Sequence, residues 1–171
     1  MSKPRFSTKQ LALCSMLLTL MLVLSWVESL FPPLMGIPGI KLGLSNGVLI
    51  FAVYMLSLPT AWVLMLLKVL LAALFLGGVA ALPYALAGGV LSLLFMSLLS
   101  RVKWIHPITV SIVGGIMHNA GQILMAMIVL HTVQLMYYMA VLMLSGILFG
   151  ALTGISATLV MNHLKKAHLM K

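Results

Sequence analysis

Apolar runs close to 20 residues long, separated by short stretches that hold nearly every charge, constrain this chain more than anything else in it. Crossing a hydrocarbon core as a helix takes about 20 mostly apolar residues. Residues 11–31, 60–77, 83–100, 107–130 and 134–160 each come near that length, and a sixth run over 44–58 is shorter. Hydrophobic residues make up 63% of the chain and charged ones 6%, against about 25% charged in water-soluble domains. These runs predict an all-α, polytopic integral membrane protein. It is a six-transmembrane-helix bundle forming a single domain over residues 1–171 and contacting the lipid bilayer.

The basic residues fix the expected orientation. Lys3, Arg5 and Lys9 precede the first helix, Arg101 and Lys103 separate the fourth and fifth, and Lys165, Lys166 and Lys171 follow the sixth. Six crossings put all of these on one side, which the positive-inside rule makes cytoplasmic. Both termini are thus expected in the cytoplasm of a multi-pass protein of the cell (plasma or inner) membrane. A formal charge of +9 also raises the question of nucleic acid. The basic residues sit at helix ends, however, and form no stripe with interleaved aromatics, so nucleic acid is not an expected partner. The first run is too long for a signal h-region and lacks a small-x-small cleavage site, so it reads as a retained helix. Cys14 is the only cysteine, which excludes an intrachain disulfide.

The stretch from Glu28 to Asn46 departs from this apolar pattern. It contains the only acidic residue, Glu28, together with Lys41, Pro32-Pro33 and Pro38-Gly39. The paired prolines stop the preceding helix and Pro38-Gly39 reads as a tight turn. A plain connector needs neither a carboxylate nor an ammonium. The segment is expected on the extracytoplasmic side, as the cap or mouth of a binding site.

Two intramembrane signals extend that expectation. Lys68 falls near the centre of the third helix, where a lysine costs about 2.5–3.5 kcal/mol on insertion scales. Its distance from either helix end, roughly 12 Å, is long for snorkelling, so a buried partner or a ligand is expected. The second signal is Gly114-Gly115-Ile-Met-His118-Asn119-Ala-Gly121-Gln122. His118 and Gln122 are four apart and share a helix face, and the glycines permit close approach of a helix or a ligand. The alternative for His118, Asn119 and Gln122 is interhelical hydrogen bonding. Gly146, Gly150 and Gly154, spaced by four, read as close helix packing, as do Gly88 and Gly89. Trp26, Trp62 and Trp104 fall near helix ends, as interfacial anchors do. The other histidines show no ligand spacing, and no metal or other cofactor is expected.

With these residues in view, the chain resembles the Gx transporter family, also labelled heptaprenyl diphosphate synthase component I. The resemblance rests on Glu28-Ser-Leu-Phe-Pro-Pro, Pro38-Gly-Ile-Lys-Leu-Gly-Leu-Ser-Asn46, Lys68, Ala87-Gly-Gly and His118-Asn-Ala-Gly-Gln122. That family in turn resembles the substrate-binding S components of energy-coupling-factor transporters. The resemblance implies a six-helix protein that binds a small molecule from the outer side, with a separate ATPase and transmembrane coupling module driving uptake. Ala12, Ser15 and Thr19 only partly match the small-residue coupling motif of that class.

Chemistry argues against the synthase label taken literally. Prenyl diphosphate elongation uses aspartate-rich clusters to hold Mg²⁺ on the diphosphate, and this chain has no aspartate and one glutamate. It has no phosphate-cradling Gly-rich loop with a following Lys-Ser/Thr either. No carboxylate lies near His118 in sequence, and Glu28 is expected well outward of it. The chain is therefore not expected to be an enzyme. The site set is Glu28, Lys41, Asn46, Lys68, His118, Asn119 and Gln122, expected to bind a small molecule, anionic or quinone-like. The competing expectation is a non-catalytic membrane accessory subunit of prenyl-diphosphate or quinone synthesis, or of an electron-transfer system.

Overall fold

The computed structural model describes residues 7–30 and 43–167, and these are all-helical, with no strands among them. Lys41 and the prolines at 32, 33 and 38 lie outside the described residues. Six α-helices run in chain order: α1 (Thr8–Ser29), α2 (Asn46–Met55), α3 (Leu58–Ala72), α4 (Leu82–Leu99), α5 (Pro107–Val129) and α6 (Met139–Lys166). Five helical stretches among the described residues are long and apolar enough to cross a membrane, which makes this a multi-pass membrane protein. The exception is α2, whose ten residues span only about 15 Å.

Local chemistry sets the boundaries. Ser7 caps α1 in a capping box with Gln10, each satisfying an N–H that the first turn leaves open. Pro59 does not close the second helix. It stands in the first turn of α3, where its missing N–H costs nothing, and the Ser57 hydroxyl accepts from Thr60 N–H at 3.4 Å. Hence α2 is shorter than the 44–58 expected and α3 starts before 60. A π-helical turn, Ala73–Gly77, extends α3 and ends at Gly78 with φ +69°, a backbone state suited to glycine. A 3-10 turn, Val79–Ala81, then leads into α4. His106 caps α5, its Nδ1 accepting from Ile108 N–H at 3.3 Å, with Pro107 following. A 3-10 turn over Val133–Tyr138 precedes α6, which runs six residues past the expected end at 160.

In lipid the hydrophobic effect does little to draw helices together, so close packing of small residues has to do it. The seam between α5 and α6 is built that way. A Cβ added at Gly146 would stand 2.9 Å from the Gly115 carbonyl oxygen, one at Gly150 2.8 Å from Ile112 Cα, and one at Gly154 3.1 Å from Ile108 Cα. As α6 advances by turns α5 retreats, so the two are antiparallel, and the glycine stripe is a helix seam. The α4–α5 pair is antiparallel too: a Cβ at Gly121 would lie 2.6 Å from the Ala87 carbonyl oxygen. By the same logic the ends carrying Arg101, Lys103, Lys165 and Lys166 coincide. Leu13 and Leu164 border one recess, which brings Lys9 to that end as well.

A main apolar cluster lies between α1, α2, α3 and α4, where Met21, Leu49, Met65 and Leu93 are buried together. Helix α1 fully buries only the stripe Leu17, Met21, Ser25 and Glu28, with Leu13, Leu18 and Leu24 half-buried beside it and Leu11 and Leu20 turned outward. By contrast α2 is buried on nearly every side.

Candidate functional site

Several polar residues of the bundle interior gather where α2 begins. Gly43 has φ +84°, and a Cβ there would meet Asn46 Nδ2 at 2.8 Å and His118 Cδ2 at 3.2 Å. Asn46 and His118 are therefore neighbours across Gly43, and both are 3% exposed. His118 stands near the midpoint of α5. It follows that α2 starts about halfway through the bundle and is a half-length helix. Irregular backbone at such depth is tolerated when protein surrounds it, and Ser45 and Asn46 are both buried. This corrects the placement of Asn46 at an outer mouth.

Glu28 holds the approach to α2. Its Oε1 accepts the Leu44 N–H at 2.6 Å, and the side chain is buried. A carboxylate at this place faces the positive end of the α2 dipole. The residue that Glu28 bonds, Leu44, is next in the chain to Gly43, the glycine beside His118, so Glu28 is not well outward of His118 as the sequence suggested. The reason is that Leu44, just before α2, meets Glu28 inside the bundle, which apolar run lengths do not reveal. Ser25 lies one turn before Glu28 on the same buried stripe of α1.

On the other side of His118 is α4. A Cβ at Gly88 would lie 2.8 Å from the His118 carbonyl oxygen, 3.0 Å from its ring Cε1 and 2.9 Å from Gln122 Cγ. His118 and Gln122 thus share one face of α5, turned to Gly88, as their spacing indicated. Lys68, in α3, is buried and lies within electrostatic range of His118. Groups from α1, α2, α3 and α5 converge here around a glycine of α4.

Asn119 faces elsewhere. Its Nδ2 donates to the Leu142 carbonyl at 2.6 Å and to Ser145 Oγ at 3.1 Å, both on α6. One residue rotates a helix by about 100°, which carries Asn119 away from the face shared by His118 and Gln122. Gly114 and Gly115 likewise receive helices: Met96 of α4 fills the space at Gly114, and the Gly146 backbone that at Gly115. Gly43 and Ser45 enter the sequence reading only within the motif over residues 38–46 and are given no site role there, although a glycine three residues before Asn46 signals a turn.

A separate recess of about 620 Å³ opens between α1, α2 and α6. Its lining is mainly hydrocarbon, with Leu13, Leu17, Leu24, Val48 and Val160 prominent, and it excludes Glu28, Asn46, Lys68, His118 and Gln122. It can receive a hydrocarbon chain but offers little to orient a polar group.

The family model described as "Heptaprenyl diphosphate synthase component I" matches residues 17–160. No curated protein and no solved structure matches the chain. The family match runs from α1 to α6 and takes in the whole cluster around Gly43, so the chain belongs to the heptaprenyl diphosphate synthase component I family.

Proposed function

We propose that this chain is a non-catalytic, membrane-embedded protein that binds a small molecule and takes part in its uptake, in the manner of an S component of an energy-coupling-factor transporter. The observation that carries the reading is that Glu28, Asn46, Lys68, His118 and Gln122 are all buried, with Asn46 and His118 adjoining across Gly43 and Glu28 bonded to the next residue, Leu44. Glu28 has a structural use beside α2, but glycine seams give no reason for a lysine in the interior, where it is expensive to place. Use in a ligand site accounts for that expense. The ligand is a small, partly apolar molecule with an acidic or carbonyl-type group.

The chain crosses the cell membrane six times, with α2 in one of the passages and both termini in the cytoplasm. A half-helix starting at mid-depth is how several transporter folds build their substrate sites, which supports the reading. A separate ATPase and coupling module supplies the energy. A second reading is favoured by the family description itself: a non-catalytic accessory subunit of prenyl-diphosphate or quinone synthesis.

Native mass spectrometry of the full-length protein separates the two. The uptake reading expects a small-molecule mass to travel with the wild type and to be lost in Lys68→Met, with the variant still inserting and eluting as a single species. Unchanged retention in Lys68→Met sinks the assignment. A stoichiometric partner chain with no small molecule favours the accessory-subunit reading.

A further inference from the structure

Asn46 opens α2 almost wholly buried, yet neither its Nδ2 nor its Oδ1 has a hydrogen-bond partner among the described residues. Nδ1 of His118, equally buried and just across Gly43, is in the same condition, as is the hydroxyl of Ser45. Buried polar atoms are nearly always satisfied in folded proteins. Three such atoms on two adjoining side chains ask for a partner that brings its own donors and acceptors in a fixed arrangement.

The chemistry of that partner follows from what the neighbours already do. Glu28 occupies the positive end of α2 and takes the Leu44 N–H, so a ligand carboxylate would meet an existing negative charge there. A neutral group fits. The Asn46 amide carries a donor and an acceptor side by side, and its complement is an acceptor and a donor side by side, the bidentate geometry by which Asn reads an adenine edge. His118 Nδ1 can give or take one further bond. Gly43 and Gly88 stand close to the His118 ring, where a Cβ would come within 3.2 and 3.0 Å of it, so any partner of Nδ1 has to be slim.

We infer that the site recognises a planar cyclic amide, a ring carbonyl beside a ring N–H, paired to the Asn46 side chain with His118 completing the contact. This rests on the small-molecule binding reading above and narrows its ligand from acidic or carbonyl-type to a neutral lactam or imide edge.

The test uses the full-length protein in lipid nanodiscs and saturation-transfer NMR, with empty nanodiscs as reference. The probes are oxindole, N-methyloxindole and benzoate. Oxindole should bind saturably, and N-methylation, which removes only the ring donor, should weaken binding by at least about tenfold. Asn46→Asp, close in shape but unable to present the same donor, and Asn46→Leu should each lose oxindole binding to a similar degree. Monodisperse elution and cooperative unfolding of either variant suffice as the folding control. Equal binding of N-methyloxindole, or wild-type affinity in folded Asn46→Asp, overturns the inference. If benzoate binds in place of oxindole and is lost in Lys68→Met, the amide edge is wrong and the binding reading survives. If no probe binds, the amide edge fails, and the native mass spectrum independently decides the binding reading.

Discussion

Glu28 is the only carboxylate side chain in the protein, and its hydrogen bond to the Leu44 N–H fixes where α2 can begin. Removing the acceptor leaves that N–H unpaired inside the bundle, which costs about 1–3 kcal/mol. Glu28→Ala should therefore melt well below the wild type in detergent, whereas Glu28→Gln, whose amide oxygen can still accept, should fall in between. Equal melting of the two variants would show that the negative charge matters and the acceptor does not. The weight of Glu28 was readable from its solitude among apolar residues, but its partner was not. Leu44 is 16 residues away through a proline-rich connector, and no periodicity links the two. His118 and Gln122 were readable as a pair because 3.6-residue periodicity puts them on one face. The same arithmetic separates Asn119 from them, and the structure shows it bonding to α6 instead.

Helix packing in this bundle depends on what stands opposite each glycine. At Gly121 and Gly115 the obstacle to a Cβ is backbone, the carbonyls of Ala87 and Gly146 respectively. At Gly114 it is the flexible side chain of Met96. Overpacking typically costs about 1–3 kcal/mol, and more where nothing can yield. Gly121→Ala and Gly115→Ala should thus sit at or above the top of that range, and Gly114→Ala nearer the bottom, since a methionine can change rotamer. Thermal unfolding of the three variants in one detergent checks the order, and a Gly114→Ala that melts lowest would contradict it. The α6 stripe was legible from its spacing of four, because close antiparallel helices need that pattern. The half-length of α2 was legible only as a short apolar run. Its starting depth was not, because depth depends on Gly43 meeting His118, residues far apart in sequence.

Across the bundle, the packing brings the α1 start, the α4–α5 turn and the α6 end together. Lys9, Arg101, Lys103, Lys165 and Lys166 therefore share one end, while the turns around Gly78 and His131 occupy the other. Charge asymmetry of this kind sets orientation through the basic residues flanking the spans. The orientation can be tested without touching the interior. Ser45 is fully buried and a poor labelling position, whereas Val79 and Lys103 are exposed on opposite ends. In a Cys14→Ser background, Val79→Cys in sealed cells should react with a membrane-impermeant maleimide. Lys103→Cys should react only after the membrane is opened. Val79 and Lys103 are separated in the chain by the single long helix α4, so the two labels report on opposite faces however α2 is counted. Reaction at position 103 in sealed cells, with none at 79, would invert the bundle. The α2–His118 site would then have to be reached from the cytoplasm, and uptake from outside would be excluded.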